Sequence, residues 1–156
     1  MGCNSSLKIG DEYYLFTEHK SHIQYYMKCK VINQNTIILS DNTTRKIRKT
    51  NLNKRLPKKT KFPEIVYLKD HEYRYHSHRV ISLKEEILRV ENHEPINLYH
   101  TKLDIHLEKS PTSLVGNTYW IDKPKEFRII KVKVIEQHYD YIYVQDKISG
   151  EFEWIK

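Results

Sequence analysis

Glycine, cysteine and long apolar runs are all scarce in this chain of 156 residues, and each scarcity removes a class of protein. Four glycines leave little room for a phosphate-cradling loop, and neither a nucleophile elbow nor a paired-carboxylate site is recognisable. Cys3 and Cys29 are too few for a disulfide framework, which favours a reducing compartment. No apolar run approaches the roughly 18 residues of a membrane span, and no signal peptide is recognisable. The sequence therefore predicts a cytoplasmic protein, of a cell or of its host, that is not an enzyme and uses no cofactor or small-molecule substrate.

Aromatic and basic residues are abundant. Twelve Tyr, four Phe and two Trp make 12% of the chain aromatic, a density typical of folded proteins with small cores. Twenty-seven Lys and Arg against twenty Asp and Glu give a net charge of +7. A surplus of this size favours a polyanionic partner, which is nucleic acid, anionic lipid or an acidic protein surface.

The two ends of the chain resemble each other. Residues 9–15 read IGDEYYL and residues 115–121 read VGNTYWI. KCKVINQ at 28–34 then matches KVKVIEQ at 131–137, and IILSD at 37–41 matches IYVQD at 142–146. The alternative is chance similarity between β-rich segments. The repeat predicts one module at 8–52 and a second at 114–156, with a flexible tail at 1–7 and a basic connector and mixed β/α middle at 53–113.

Both copies consist of short β-branched and aromatic runs separated by turn residues. In the second copy we predict strands at 127–135, 139–145 and 151–155, with a turn at 147–150. Several short antiparallel strands in so short a segment are typical of a small barrel that curls to hide its edges. The expected fold class is therefore mainly β with a short helix (α+β), built on two SH3-like small barrels.

The order of these motifs resembles the Tudor and KOW class of SH3-like barrels, over about half of the chain. Tudor-like modules bind methylated side chains in an aromatic cage, and KOW-like modules contact RNA or proteins. The resemblance implies an aromatic binding surface, although the same rings could simply fill two cores. The N-terminal copy has Ile38 where the C-terminal copy has Tyr143, so a cage in both copies is not expected. The candidate residues are Tyr13, Tyr14, Tyr119, Trp120, Tyr141 and Tyr143.

A basic stretch follows the first module. Between residues 45 and 61 there are nine cations and no acidic residue, which predicts salt-dependent binding to phosphates. The alternative is a solvated linker whose charge aids solubility. No sequence signature of base-specific reading accompanies it. The candidate nucleic-acid-binding residues are Arg45, Lys46, Arg48, Lys49, Lys54, Arg55, Lys58, Lys59 and Lys61.

The middle of the chain is the least repetitive part. We predict a strand at Ile65–Leu68 and a second one from Leu98 to Leu107. Ser82 and Glu85 have the spacing of a capping box, which predicts a short helix from Leu83 to Glu91.

Six histidines lie in this middle region. His76 and His78 would lie on one face of a strand, as two ligands of a divalent metal, but a third ligand would have to come from His93, His100 or His106. Clustered histidines in a chain rich in Tyr, His and Asn more often lie on a polar surface, and no metal is predicted.

The N-terminal residues MGCNSS fit the N-myristoylation pattern, with Gly2 as acceptor and Cys3 as a second acylation site. The alternative is a fortuitous match. A single acyl chain would give only weak membrane association.

The preferred hypothesis is a non-catalytic protein that binds nucleic acid or another polyanion. The alternatives are a protein-interaction adaptor or inhibitor of the phage or pathogen effector type, possibly lipid-tethered through Gly2 or Cys3, and thirdly a histidine-based metal-dependent enzyme. The sequence leaves the oligomeric state open.

Overall fold

A computed structural model describes residues 8–47, 52–58 and 60–156. Antiparallel strands and turns dominate these residues, and the only helical segment among them is one turn of 3-10 helix at Pro124–Glu126. The predicted mainly β class is confirmed. The strands are β1 (Glu12–Glu18), β2 (Gln24–Asn33), β3 (Thr36–Leu39), β4 (Thr44–Lys46), β5 (Leu52–Asn53), β6 (Ile65–Lys69), β7 (Tyr75–Lys84), β8 (Ile87–Val90), β9 (Ile96–Asn97), β10 (Ile105–His106), β11 (Thr118–Lys123), β12 (Arg128–His138), β13 (Tyr141–Asp146) and β14 (Phe152–Ile155).

The first sheet has the strand order β4-β3-β2-β1-β5. Side chains alternate between its two faces because successive residues of a strand point to opposite sides. On β2 this alternation buries Tyr25, Met27, Cys29 and Val31, while the residues between them face outward.

The second sheet has the order β10-β6-β7-β8-β9, and the third has the order β11-β12-β13-β14. Strand β6 confirms the strand predicted at Ile65–Leu68. Strands β12, β13 and β14 and the turn between β13 and β14 confirm the C-terminal strand predictions, with boundaries shifted by a few residues.

A β-bulge marks the same point in all three sheets. It comes directly after a buried valine of the long second strand, at Val31, Val80 and Val134. Each valine N–H donates to the carbonyl of the residue just before the first strand, at 3.1, 2.9 and 3.0 Å respectively. The middle of the chain therefore has the same local arrangement as the two ends. The three acceptor carbonyls belong to Asp11, Glu64 and Asn117.

Glycine explains why the sequence repeat is visible only at the ends. Gly10 and Gly116 have φ values of 92° and 88° and donate to the carbonyls of Val31 and Val134 at 2.7 and 2.8 Å. Positive φ is the backbone region that glycine adopts without steric cost. The residue before Glu64 is Pro63, which has no N–H to donate. The sheet formed by the middle of the chain, here called the middle meander, therefore lacks the aliphatic-glycine motif by which the repeat is recognised at the two ends.

The described chain divides into two compact units. One contains residues up to 66 together with 78–102, and the other contains 67–77 together with 103–156. Strands β6 and β7 each begin in one unit and end in the other. The module boundaries drawn from the sequence at 52 and 114 stay a prediction.

The predicted helix at Leu83–Glu91 is wrong. Strands β7 and β8 form a hairpin there, in which Leu83 lies opposite Leu88 and Lys84 lies opposite Ile87. The supposed N3 residue Glu85 instead occupies the two-residue turn, with a φ of 52°.

The predicted strand from Leu98 to Leu107 is also wrong in its extent. The strand in that range is limited to Ile105–His106, which pairs with β6. Residues 98–100 form a turn in which the Asn97 side chain accepts hydrogen bonds from the N–H groups of Tyr99 and His100, which ends β9.

Glu85→Gly is expected to raise the free energy of unfolding by about 0.5 kcal/mol. The left-handed conformation costs a non-glycine residue about 1–2 kcal/mol, part of which is offset by the greater freedom of glycine in the unfolded chain. Chemical denaturation measures the change. Lys84→Gly, one residue earlier in a strand, is the matched control and should destabilise by about 0.5–1 kcal/mol. A loss of stability in Glu85→Gly would contradict the hairpin turn and would favour a helix.

Candidate nucleic-acid interface

The C-terminal sheet has one apolar face. Ile130, Val132, Val134 and Val144 are buried together, and further half-buried aliphatic side chains pack against them. These are Leu114, Ile121, Ile142 and Ile155. Because side chains alternate along each strand, the residues between the buried ones lie on the opposite face, here called the outer face.

The pairing register gives the composition of the outer face. Trp120 lies opposite Lys131, Lys133 lies opposite Gln145, and Gln145 in turn lies opposite Phe152. Tyr143 lies between Glu136 on one side and Trp154 on the other, and His138 lies opposite Tyr141. Directly opposed residues project from the same side of a sheet. The outer face is therefore aromatic and basic, with Asp122 opposite Ile129 at its far end.

The aromatic rings of this face form a continuous series. Phe152 and Tyr143 stack with their centroids 5.5 Å apart and an interplanar angle of 18°. Tyr143 lies 4.9 Å from Trp154, and Trp154 lies 5.8 Å from Tyr73. Tyr73 then lies 4.9 Å from Tyr141. Phe152 is 50% exposed and Tyr73 38%, whereas Tyr141, Tyr143 and Trp154 are half-buried.

Lysine ammonium groups lie over these rings. Lys69 Nζ is 4.5 Å from the ring centroid of Tyr141 and 5.2 Å from that of Tyr73, and it donates a hydrogen bond of 3.2 Å to the Tyr141 hydroxyl. Lys156 Nζ is 5.8 Å from the centroid of Tyr141, and Lys131 Nζ is 5.8 Å from that of Trp120. All four distances from an ammonium group to a ring centroid lie within the range of cation–π attraction.

The carboxylate of Glu136 on this face is compensated. Arg74 donates to it from Nε at 3.0 Å and from a terminal nitrogen at 3.1 Å, which is a bidentate pair. The hydrogen bonds from Arg74 hold the pKa of Glu136 below its usual range. Glu136 is therefore ionised at neutral pH, and Arg74, which also pairs with Glu72, offsets the charge of one of these two carboxylates.

The structure separates the six aromatic residues named from the sequence. Tyr141 and Tyr143 belong to the ring series, and Trp120, 69% exposed, lies elsewhere on the outer face. Tyr119 projects from the opposite side because it lies across from buried Val132. Tyr13 and Tyr14 belong to the first sheet, where Lys54 Nζ lies 4.7 Å from the Tyr13 ring and Tyr14 lies opposite Lys28.

The sequence analysis missed three members of the ring series, which are Tyr73, Phe152 and Trp154. Phe152 and Trp154 alternate along the closing strand, so the period-two pattern was a usable signal for them. Tyr73 comes from the turn between β6 and β7, far from the C-terminal strands in sequence. No local pattern could have placed it beside Trp154.

The basic stretch is described only in part. Arg45 and Lys46 lie on the exposed strand β4, and Lys54 pairs with Asp11 at 3.0 Å. Arg55 is exposed. Lys58 and Lys61 line an open pocket of about 570 Å³ together with Lys84. Its other lining residues are Leu56, Pro57, Thr60, Phe62, Ser82, Leu83 and Glu85. The candidates Arg48, Lys49 and Lys59 lie outside the described residues.

The histidines of the middle region find separate partners. His76 lies 2.7 Å from Asp70, and Nδ1 of His78 lies 2.8 Å from the carbonyl oxygen of Glu91. His100 lies 3.5 Å from Asp41. Within the part of the chain that the structure describes, no group of three or more His, Cys, Asp or Glu side chains is arranged to hold a metal ion.

A half-buried polar cluster surrounds Tyr75. The Tyr75 hydroxyl donates to the carboxylate of Asp104, and the His106 ring stacks on Tyr139 at 3.6 Å and 15°. Burial raises the pKa of Tyr139 to about 12, and burial together with the Asp104 contact raises the pKa of Tyr75. Both tyrosines are therefore protonated at neutral pH, and the cluster serves to join β7 to the segment that contains β10.

The candidate lipidation residues Gly2 and Cys3 lie outside the described residues. Among the residues that are described, none forms a helix with the length and apolar character required to cross a membrane.

No protein-family model matches the chain, and a search of curated proteins finds no similar sequence.

Proposed function

We propose that this is a non-catalytic protein that binds nucleic acid in the cytoplasm. The observation that supports this most directly is the combination, on one outer sheet face, of a continuous ring series with lysine ammonium groups at cation–π distance. Nucleic acids offer the two matching chemical groups, which are flat bases and anionic phosphates. A polyanion without rings would use only half of this surface.

The charge of the protein supports the same partner. Lysines that neutralise phosphates release condensed counterions, so affinity falls linearly with salt on logarithmic axes. Lys131 and Lys133 project from the outer face at alternate positions of β12 and are both exposed. The basic stretch adds Arg55, Lys58 and Lys61, which belong to the other unit. We expect both regions to contribute phosphate contacts.

Salt titration of binding to fluorescently labelled DNA and RNA tests the proposal. The slope of log K against log salt should be steep, and the double substitution Lys131→Ala and Lys133→Ala should make it shallower by about 1.4–1.8, which is two phosphate contacts. The matched control is Lys20→Ala with Lys125→Ala, which removes the same charge from exposed turn positions and should leave the slope nearly unchanged. The double substitution Arg55→Ala with Lys58→Ala measures how much of the salt slope comes from the basic stretch.

Failure to bind DNA or RNA at low salt would overturn the proposal. The outer face and the basic stretch would then be surfaces of a protein-interaction adaptor, and an acidic protein would be the partner to seek. An equal loss of slope in the Lys20 and Lys125 control would show that only net charge matters, which would also contradict a defined interface.

A further inference from the structure

We infer that the outer face of the C-terminal sheet selects single-stranded nucleic acid, whose unpaired bases stack on the ring series while its phosphates contact the lysines beside it. This inference deepens the proposed function and rests on it. It adds the substrate class and names the rings, chiefly Phe152, Tyr143 and Trp154, that discriminate single strands from duplexes.

The rings of this face favour single strands over duplexes. A base in a duplex is already stacked on both sides and offers only its edge to a protein. An unpaired base offers its whole π-face, and every base type has one, so aromatic rings bind single strands with little regard to sequence. Phe152, Tyr143 and Trp154 have centroid separations of 5.5 and 4.9 Å along two adjacent strands. Such a series offers a base its stacking surface at Phe152, the exposed end, while Tyr143 and Trp154 support that ring from behind.

The lysines make a cationic ligand a poor occupant of this face. Lys69 Nζ already lies over both Tyr141 and Tyr73, and Lys156 Nζ lies near Tyr141. A methylated lysine entering an aromatic cage here would have to displace the protein's own ammonium groups and would be repelled by them. A phosphate, in contrast, would be attracted by the same groups. Charge complementarity therefore selects an anionic ligand that also carries π-faces.

The balance of charges on the face supports the same occupant. The Glu136 carboxylate is held by two hydrogen bonds from Arg74, at 3.0 and 3.1 Å. Asp122 lies at the end of the face opposite Ile129, away from the ring series. Lys131 and Lys133 extend the positive surface from the rings towards Trp120. A backbone of phosphates therefore meets cations on the Lys131 and Lys133 side of the rings, whereas Glu72, which shares Arg74 with Glu136, leaves negative charge next to Tyr73 in the chain.

The first test compares single and double strands directly. Fluorescence anisotropy would measure the affinity of the full-length protein for oligo-dT and oligo-U of about 12 nucleotides, within the site sizes of about 4–16 nucleotides seen for small single-strand-binding folds. A duplex of the same length is the comparison. We expect the single strands to bind at least 10-fold more tightly. DNA and RNA single strands should behave alike, because stacking does not depend on the 2′-hydroxyl.

The second test removes the rings while keeping apolar bulk. Tyr143→Leu and Phe152→Leu should each weaken single-strand binding by about 5- to 100-fold, the range that corresponds to the loss of one stacked base. Tyr143→Phe and Phe152→Tyr keep a ring and should restore binding. Phe127→Leu is the matched control, because Phe127 is 95% exposed in the turn before β12 and lies outside the ring series. Thermal unfolding of each variant checks that the fold is retained.

The outcomes separate the inference from the proposed function. Equal affinity for single and double strands, with no effect of the leucine variants, would overturn the inference and leave nucleic-acid binding in place. No binding to any oligonucleotide would overturn both. Binding of a trimethyllysine peptide in competition with oligo-dT would also overturn the inference, since it would show that the rings form a cage for a cation.

Discussion

Leu88→Ala is expected to lower the free energy of unfolding by about 2–5 kcal/mol, the range seen when a buried leucine is truncated and a cavity remains. Leu88 is 0% exposed and belongs to β8. It lies opposite Leu83 on one side and Ile96 on the other, and both of these residues are buried. The total free energy of unfolding of a small domain is typically about 5–15 kcal/mol. The substitution therefore removes a large part of the stability. Urea or guanidinium denaturation followed by circular dichroism measures the effect.

Arg89→Ala is the control for the Leu88 prediction. Arg89 is the next residue of the same strand, and it is exposed because alternate residues face opposite sides. Its substitution should change stability by less than about 0.5 kcal/mol. If the two variants lost the same stability, the assignment of the buried face in the middle hairpin would be wrong.

Alkylation of Cys29 is expected to be at least about 1000-fold slower in the folded protein than in the unfolded chain, because the reagent must wait for the protein to open. Cys29 is 3% exposed, and its thiol donates to the carbonyl of Tyr13 at 3.5 Å. Burial raises the pKa of the thiol to about 11. The thiolate is the reactive form, so the raised pKa further slows any reaction in the folded state. Iodoacetamide labelling read by mass spectrometry measures the rate.

The labelling experiment uses Cys3→Ser so that Cys29 is the sole thiol. The same variant in guanidinium supplies the reference rate of the unfolded chain. Similar rates in the two conditions would contradict the burial of Cys29 on the inward face of β2. Because labelling reports opening of β2, its dependence on denaturant also gives an independent stability for that strand.

The mainly β class and the strands at the C-terminal end were predictable because their signals are local. Ile130, Val132 and Val134 alternate with Lys131 and Lys133 along one strand, and this period of two predicts a sheet with one buried face. The turn residues between the runs then bound each strand. Even the turn at 147–150 was correct, where the Asp146 carboxylate accepts hydrogen bonds from the N–H groups of Ile148 and Ser149.

The middle hairpin was mispredicted because its short apolar segment fits two periods. Leu83, Ile87, Leu88 and Val90 satisfy a rough helical stripe, and Leu88 with Val90 also satisfies strand alternation. The backbone hydrogen bonds of a helix form within the segment itself, whereas those of a strand need neighbouring strands. Here β8 pairs with β7 on one side and with β9 on the other. A reading of eight or nine residues in isolation contains no information about such partners.

Some residues of the candidate interface were predictable from their own strand, and others were not because they come from distant parts of the chain. Tyr141 and Tyr143 were identified from the sequence because they alternate on a recognisable strand. The ring of Tyr73 and the ammonium group of Lys69 come from a hairpin about seventy residues earlier, and only folding brings them to Tyr141, where Lys69 donates its hydrogen bond.

The sequence by itself determined that the chain forms short antiparallel strands, that it carries a net positive charge, and that it is rich in aromatic residues. Strand alternation and charge are properties of neighbouring residues, so they can be read without the fold. Only the tertiary structure decided which rings and lysines share a face, and that the middle of the chain forms a third meander with the same bulge. Those facts depend on contacts between residues far apart in sequence, which pairing of distant strands creates.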